Sequence, residues 1–156
     1  MNNTFVTPKL LVSACLLGQP VRYDGKSKAI KELAWLEELR TAGQLVVICP
    51  EVAGGLETPR APAEQRGELV ITNQGDNVTE AFNEGAQQAL SLCKKNNIQY
   101  ALLKARSPSC GNIEIYDGTF SNNLVPGMGV TARLLEDNGI KVFSELQIAE
   151  LKALME

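Results

Sequence analysis

The chain contains no histidine among its 156 residues. That absence removes the Cys-His nucleophile pair, the imidazole general base and every mixed cysteine-histidine zinc site at once. Nor is there a Cys-x-x-Cys pair: the four cysteines stand at Cys15, Cys49, Cys93 and Cys110. The local signatures of zinc ribbons and thioredoxin-like redox sites are therefore missing. No apolar run approaches the length that spans a bilayer, and Met1-Asn2-Asn3-Thr4 lacks the charged and apolar pattern of an export signal. Basic charge is scarce as well. Fifteen Lys and Arg against 18 Asp and Glu give a net charge of −3, with no basic run longer than a pair. Polymeric nucleic acid, bound through clustered cations, is not an expected partner, and neither is a membrane. A cytoplasmic protein is expected, in a compartment where cysteines stay reduced and serve as ligands or catalysts.

What is present alternates strand-like and helix-like periods, which predicts an α/β fold: one Rossmann-like domain over residues 1–156 with a parallel or mostly parallel sheet and helices on both faces. Strands are predicted at residues 10–15, 45–49, 100–104 and 140–143. Helices are predicted at about 27–42, 77–95 (capped by Asp76 or Asn77), 127–137 and 145–155. Residues 50–66, with three prolines and Gly54-Gly55, read as one long loop, followed by a short extended piece at 68–72. Ile113 to Tyr116 read as one arm of a hairpin around Asp117-Gly118.

Cys15 and Cys49 close two of the apolar strands, and Cys110 follows the third across Lys104-Ala105-Arg106-Ser107-Pro108-Ser109. In an open α/β sheet the strand ends face one crevice, where ligands bind, so the three thiols are expected to converge there. Cys93 differs. It shares a helix face with Val78, Phe82, Ala86 and Ala89 and reads as core. Three converging thiolates without histidine leave an iron-sulfur cluster, an open three-cysteine metal site or a redox thiol set. With no imidazole available, Glu51, two residues after Cys49, is the natural proton-transfer group.

Two glycine motifs are weaker signals. Gly25-Lys26-Ser27 imitates the end of a phosphate-binding P-loop, but the preceding glycine, Gly18, is seven positions away instead of five. Gly127-Met128-Gly129-Val130-Thr131-Ala132 satisfies the dinucleotide pattern without a long strand before it; it reads as a tight loop into a helix N-terminus able to face an anion. Arg22, Tyr23, Asp24, Arg60, Lys104, Arg106 and Ser109 crowd the cysteine loops and are the candidate substrate-binding residues. A gathering of cations in an acidic protein suggests an anionic ligand such as a phosphate.

Taken together, Val12-Ser13-Ala14-Cys15-Leu16-Leu17-Gly18 with Val21-Arg22-Tyr23-Asp24-Gly25, Cys49-Pro50-Glu51 with Gly54-Gly55-Leu56 and Pro59-Arg60, Lys104 with Ser107-Pro108-Ser109-Cys110-Gly111, and Pro126-Gly127-Met128-Gly129-Val130-Thr131-Ala132 resemble the bacterial and archaeal thiouracil desulfidases. The resemblance runs from about residue 9 to 144. It implies a [4Fe-4S] cluster held by Cys15, Cys49 and Cys110 with one iron open, an acid/base role for Glu51 and an active-site serine at Ser107. It also implies a small thiolated pyrimidine as substrate, free thiouracil or 4-thiouridine monophosphate, converted to the oxo-pyrimidine and hydrosulfide. Two readings compete: a non-enzymatic sulfur or metal carrier, and a zinc hydrolase using the same three cysteines.

Overall fold

In a computed structural model that describes residues 8–25 and 30–155, the chain alternates strands and helices. In order they are β1 (Leu10–Ser13), α1 (Leu33–Thr41), β2 (Leu45–Ile48), α2 (Pro50–Ala53), β3 (Ala63–Arg66), β4 (Leu69–Thr72), α3 (Thr79–Lys95), β5 (Tyr100–Leu103), β6 (Glu114–Tyr116), β7 (Leu124–Pro126), α4 (Val130–Asp137), β8 (Lys141–Ser144) and α5 (Ile148–Met155). Strands β2, β1, β5 and β8, in that spatial order, form a fully parallel sheet. The chain steps to one side of β1 to place β2 and to the other side to place β5 and β8. The sheet therefore has a switch point between β1 and β5, beyond whose carboxyl ends α/β folds hold their ligands.

Strand alternation explains why both faces are covered. Leu10, Val12, Leu102 and Phe143 point to one face and pack with Leu36 and Leu39 of α1 and Ile148, Leu151 and Met155 of α5. Leu11, Ala101, Leu103 and Val142 point to the other, against Ala89, Leu90 and Cys93 of α3 and Ala132 and Leu135 of α4. Residues such as Leu11, Leu102 and Leu135 are fully buried, each removal from water contributing roughly 2 kcal/mol. The parallel sheet with helices on both faces is the architecture that the alternating periods predict.

Several local expectations are corrected. Residues 50–66 are not one loop: α2 follows Cys49 directly, started by Pro50 at its first position, and β3 pairs antiparallel with β4. The return strand of the hairpin arm is Leu124–Pro126, so the turn spans residues 117–123 instead of Asp117-Gly118 alone. The first long helix is regular only over Leu33–Thr41, and part of its expected start, with Lys26 and Ser27 of the P-loop-like motif, lies outside the described residues. The C-terminal helix begins as a 3-10 turn at Glu145–Gln147, and Ser144 caps it with a capping box to Gln147. Helix α3 starts at Thr79 after Val78, with the Asn77 side chain accepting from the Thr79 N–H at 3.0 Å.

Close backbone contact sets where α2 sits. A Cβ on Gly85 of α3 would lie 1.8 Å from the Pro50 carbonyl oxygen, and one on Gly54 would lie 1.9 Å from that of Ala81. Glycine in the middle of a helix is destabilising by roughly 0.5–1 kcal/mol relative to alanine. Here the bare backbone lets α2, and with it Cys49 and Glu51, rest directly on α3.

Candidate active site

The crevice beyond β1, β2 and β5 holds a cavity of about 470 Å³ whose walls include Cys15, Cys49, Cys110, Glu51, Arg60 and Ser107. Cys15 follows β1 in a 3-10 turn (Ala14–Leu17) closed by Gly18 in the left-handed region at φ 92°. Cys49 immediately precedes α2, and its thiol lies 3.8 Å from the Val21 carbonyl. Cys110 sits in the loop after β5, its sulfur 3.7 Å from the Ser13 hydroxyl. All four cysteines are free thiols. Cys93 stays in the core between α3 and the sheet, as its helix face predicts.

Burial pushes the Cys15 thiol up to about 11, with Cys49 adding to the effect. It pushes Cys110 up to about 12, again with Cys49 as the next contributor and Cys15 and Glu51 adding less. Cys49 is raised by burial as well, opposed by the Val52 backbone N–H. Burial above all, with Cys49 beside Cys15 and Cys110, disfavours the thiolate forms, and a bound metal centre would favour them. Among the described residues no three Cys, Asp or Glu side chains meet closely enough to hold a single metal ion. The three thiols share the walls of one cavity.

Ser107 organises the third loop. Its hydroxyl accepts the Ser109 and Cys110 N–H groups, each at 3.1 Å, and lies 3.5 Å from Glu51 Oε2. Glu51 is held from its other side by Arg60, whose Nε donates to Oε1 at 3.0 Å. Arg60 is fixed in turn by bonds to the carbonyls of Val21 and Glu57 and to the Thr58 hydroxyl. A second cavity of about 450 Å³ lies against the same Glu51–Arg60 pair, bounded by the turn after β4.

The cations expected around a phosphate are each paired with a carboxylate: Arg60 with Glu51, Lys104 with Glu145 at 2.9 Å, Arg106 with Glu114 at 3.0 Å and Arg22 with Asp24 at 3.6 Å. Arg22, Tyr23, Lys104 and Arg106 line the cavity. Asp24 is not among the lining residues and pairs with Arg22. Ser109 is also set apart, fully buried with its hydroxyl 2.8 Å from that of Thr131. The N-terminus of α4 is not open to an anion. The N–H groups of Gly129, Val130, Thr131 and Ala132 bond to the carbonyls of Gly111, Pro108, Ser109 and Ser109. A Cβ on Gly129 would lie 2.4 Å from the Ser109 carbonyl carbon, so glycine permits this docking. The motif Gly127-Met128-Gly129 braces the Cys110 loop.

Two groups of residues were missed from sequence. Ser13, buried at the end of β1, accepts the Lys104 N–H at 3.1 Å and ties β1 to the Cys110 loop. A polar residue closing an apolar strand was its visible signal. Glu64, Tyr116, Phe120 and Asn122 also line the cavity. They come from the two hairpins, and nothing local marked them.

A parallel α/β sheet with three thiols, a carboxylate and a serine around the cavity at its switch point is the architecture of a Rossmann-like enzyme whose ligand sits beyond the strand ends. Residues 10–147 match the model of the 2-thiouracil desulfurase family, and the chain belongs to that family of enzymes. The uncharacterized protein YbbK of Bacillus subtilis (strain 168) is 40% identical over 152 residues, spanning 91% of this chain and 99% of the relative. The solved structure of a [4Fe-4S]-dependent thiouracil desulfidase, TudS, is 53% identical, with a TM-score of 0.91 over 94% of this chain and 97% of that one.

Proposed function

We propose that the protein is a [4Fe-4S]-dependent desulfidase that converts a thiolated pyrimidine and water to the oxo-pyrimidine and hydrosulfide. The observation that carries this reading is the placement of Cys15, Cys49 and Cys110 on one cavity wall with Glu51 and Ser107 beside them. Those three cysteines would hold the cluster, leaving one iron without a protein ligand. When bound, the cluster supplies a Lewis acid for soft sulfur, which polarises the thiocarbonyl carbon.

The chain's own groups do the rest. Glu51 accepts a proton from the attacking water through a carboxylate that Arg60 holds at Oε1 and Ser107 at Oε2, and returns one to the ring nitrogen or the departing sulfur. The C–O bond forms as the C–S bond breaks. No electron is transferred overall. A carrier of sulfur or metal has no use for a carboxylate fixed on both sides within this cavity.

For a nucleotide substrate such as 4-thiouridine monophosphate, Arg22 is the cation we assign to the phosphate. Its pair with Asp24 is the longest of the four, and Arg22 lines the cavity. Arg60, Lys104 and Arg106 would have to leave short ion pairs.

The test is sulfide release from 2-thiouracil and 4-thiouridine monophosphate by anaerobically reconstituted protein. Oxo-pyrimidine and sulfide formed in equal amounts, without added reductant, support the reading. A cluster-loaded protein that releases neither overturns it.

A further inference from the structure

Phe120 stands in a conformation that a bulky side chain rarely adopts, with φ at 57° in the left-handed region. Asn122, two residues on, does the same at 61°. Such backbone persists only where its surroundings over-determine it, and it concentrates at functional sites. The surroundings here are explicit. Glu64 of β3, only 9% exposed, accepts the N–H of Gly118 at 2.9 Å and of Phe120 at 3.2 Å through one carboxylate oxygen. Arg66, two residues along the same strand, donates from Nε to the Gly118 carbonyl at 2.8 Å, and its guanidinium lies 6.0 Å from the centre of the Phe120 ring.

Gly118, at φ 93°, permits the docking, since a Cβ there would lie 2.6 Å from the Gln65 carbonyl oxygen. Asp117 stiffens the rest of the turn by accepting from the Thr119 N–H and hydroxyl and from the Asn123 amide. The result is a loop, residues 117–123, latched onto the β3–β4 hairpin. Its ring borders the same cavity as the three cysteine thiols. Aromatic residues are only 5% of this chain, so a ring held here against conformational preference is not generic packing.

We infer that Phe120 is a specificity-determining residue of the desulfidase cavity, the wall on which the flat ring of a thiopyrimidine stacks while its sulfur faces the cysteines. The inference rests on the desulfidase reading and assigns the substrate class, a planar aromatic thiocarbonyl, to a particular side chain. Arg66 lies over one face of the phenyl ring, so the proposed stacking uses the opposite face. Glu64 is its positioning residue, holding the backbone turn that aims the ring.

The experiment compares cluster-loaded wild type with Phe120→Ala, Phe120→Trp, Glu64→Ala and Glu64→Gln. Equilibrium affinity is measured for two probes, 2-thiouracil and thiourea. Thiourea keeps the soft sulfur and lacks the aromatic ring. Loss of a stacking partner should weaken 2-thiouracil by about tenfold or more and leave thiourea within about twofold. Phe120→Trp should restore 2-thiouracil. Glu64→Ala should repeat the selective loss, and Glu64→Gln, which keeps an acceptor oxygen, should largely avoid it. Unchanged 2-thiouracil affinity in Phe120→Ala, or equal weakening of both probes, overturns the assignment; so does wild type that binds no 2-thiouracil. Sulfide release, measured on the same samples, tests the desulfidase reading separately, because a ring-selective affinity change stands whether or not sulfur is released.

Discussion

Arg60 Nε donates to Glu51 Oε1 at 3.0 Å, and both side chains are largely buried. An arginine that sequence position offered to a phosphate is thus bound to the acid/base candidate. Removing one member of a buried pair leaves the other charge unpaired. Glu51→Gln, which keeps the shape and loses the proton acceptor, should lower turnover by about a hundredfold or more with the cluster retained. Arg60→Ala should lower it by about tenfold for free base and nucleotide alike, because it frees Glu51 and not a phosphate. Rates measured on iron-quantified samples check both. A loss confined to the nucleotide would return Arg60 to phosphate binding.

The cysteine assignment separates cleanly in iron content. Cys15→Ala, Cys49→Ala and Cys110→Ala should each fail to retain a full cluster after anaerobic reconstitution and should lose activity. Cys93→Ala, altering a residue packed among Ala89, Ala101 and Leu135, should keep iron and activity and lose about 1 kcal/mol of stability. Iron analysis and denaturant melts of the four variants decide it.

Gly85→Ala places a methyl group 1.8 Å from the Pro50 carbonyl oxygen. Although alanine is the better helix former, overpacking should dominate and destabilise the protein by about 3 kcal/mol. Because Pro50 follows Cys49, the same change should lower cluster occupancy. A melting temperature at or above wild type would show that α2 is free to move away.

Cys93 also predicts an alkaline signature. Burial raises its thiol from 9.0 to about 11. Between those values the unfolded chain has given up the proton and the folded chain has kept it, so stability present below pH 9.0 declines as pH rises toward 11. Cys93→Ala removes this share. Its stability should fall less steeply than wild type's across pH 9 to 11, measured by denaturant unfolding at fixed salt.

Arg22 carries the nucleotide assignment. Arg22→Ala should reduce kcat/KM for 4-thiouridine monophosphate by about tenfold and leave 2-thiouracil nearly unchanged, the scale of one charge-assisted phosphate contact. A ratio of the two efficiencies that the substitution does not alter would remove the phosphate from the site.

Sequence alone determined the frame: four apolar runs separated by helical periods, and three cysteines just beyond three of those runs. Strand and helix periods are local properties, and the ends of parallel strands must face one way, so the placement of Cys15, Cys49 and Cys110 around one cavity followed from position. The same local logic set Cys93 apart on its helix face. It failed for residues 50–66, where prolines that read as loop instead start α2 at Pro50 and precede β3.

Tertiary structure alone decided which charges are spoken for and what walls the cavity. Lys104 meets Glu145 across 41 positions of chain, Glu64 reaches the Gly118 N–H across 54, and the α4 amides that promised an anion site are taken by carbonyls of residues 108–111. Ion pairs and docked loops depend on which distant segments the sheet order brings together, and no period along the chain encodes that.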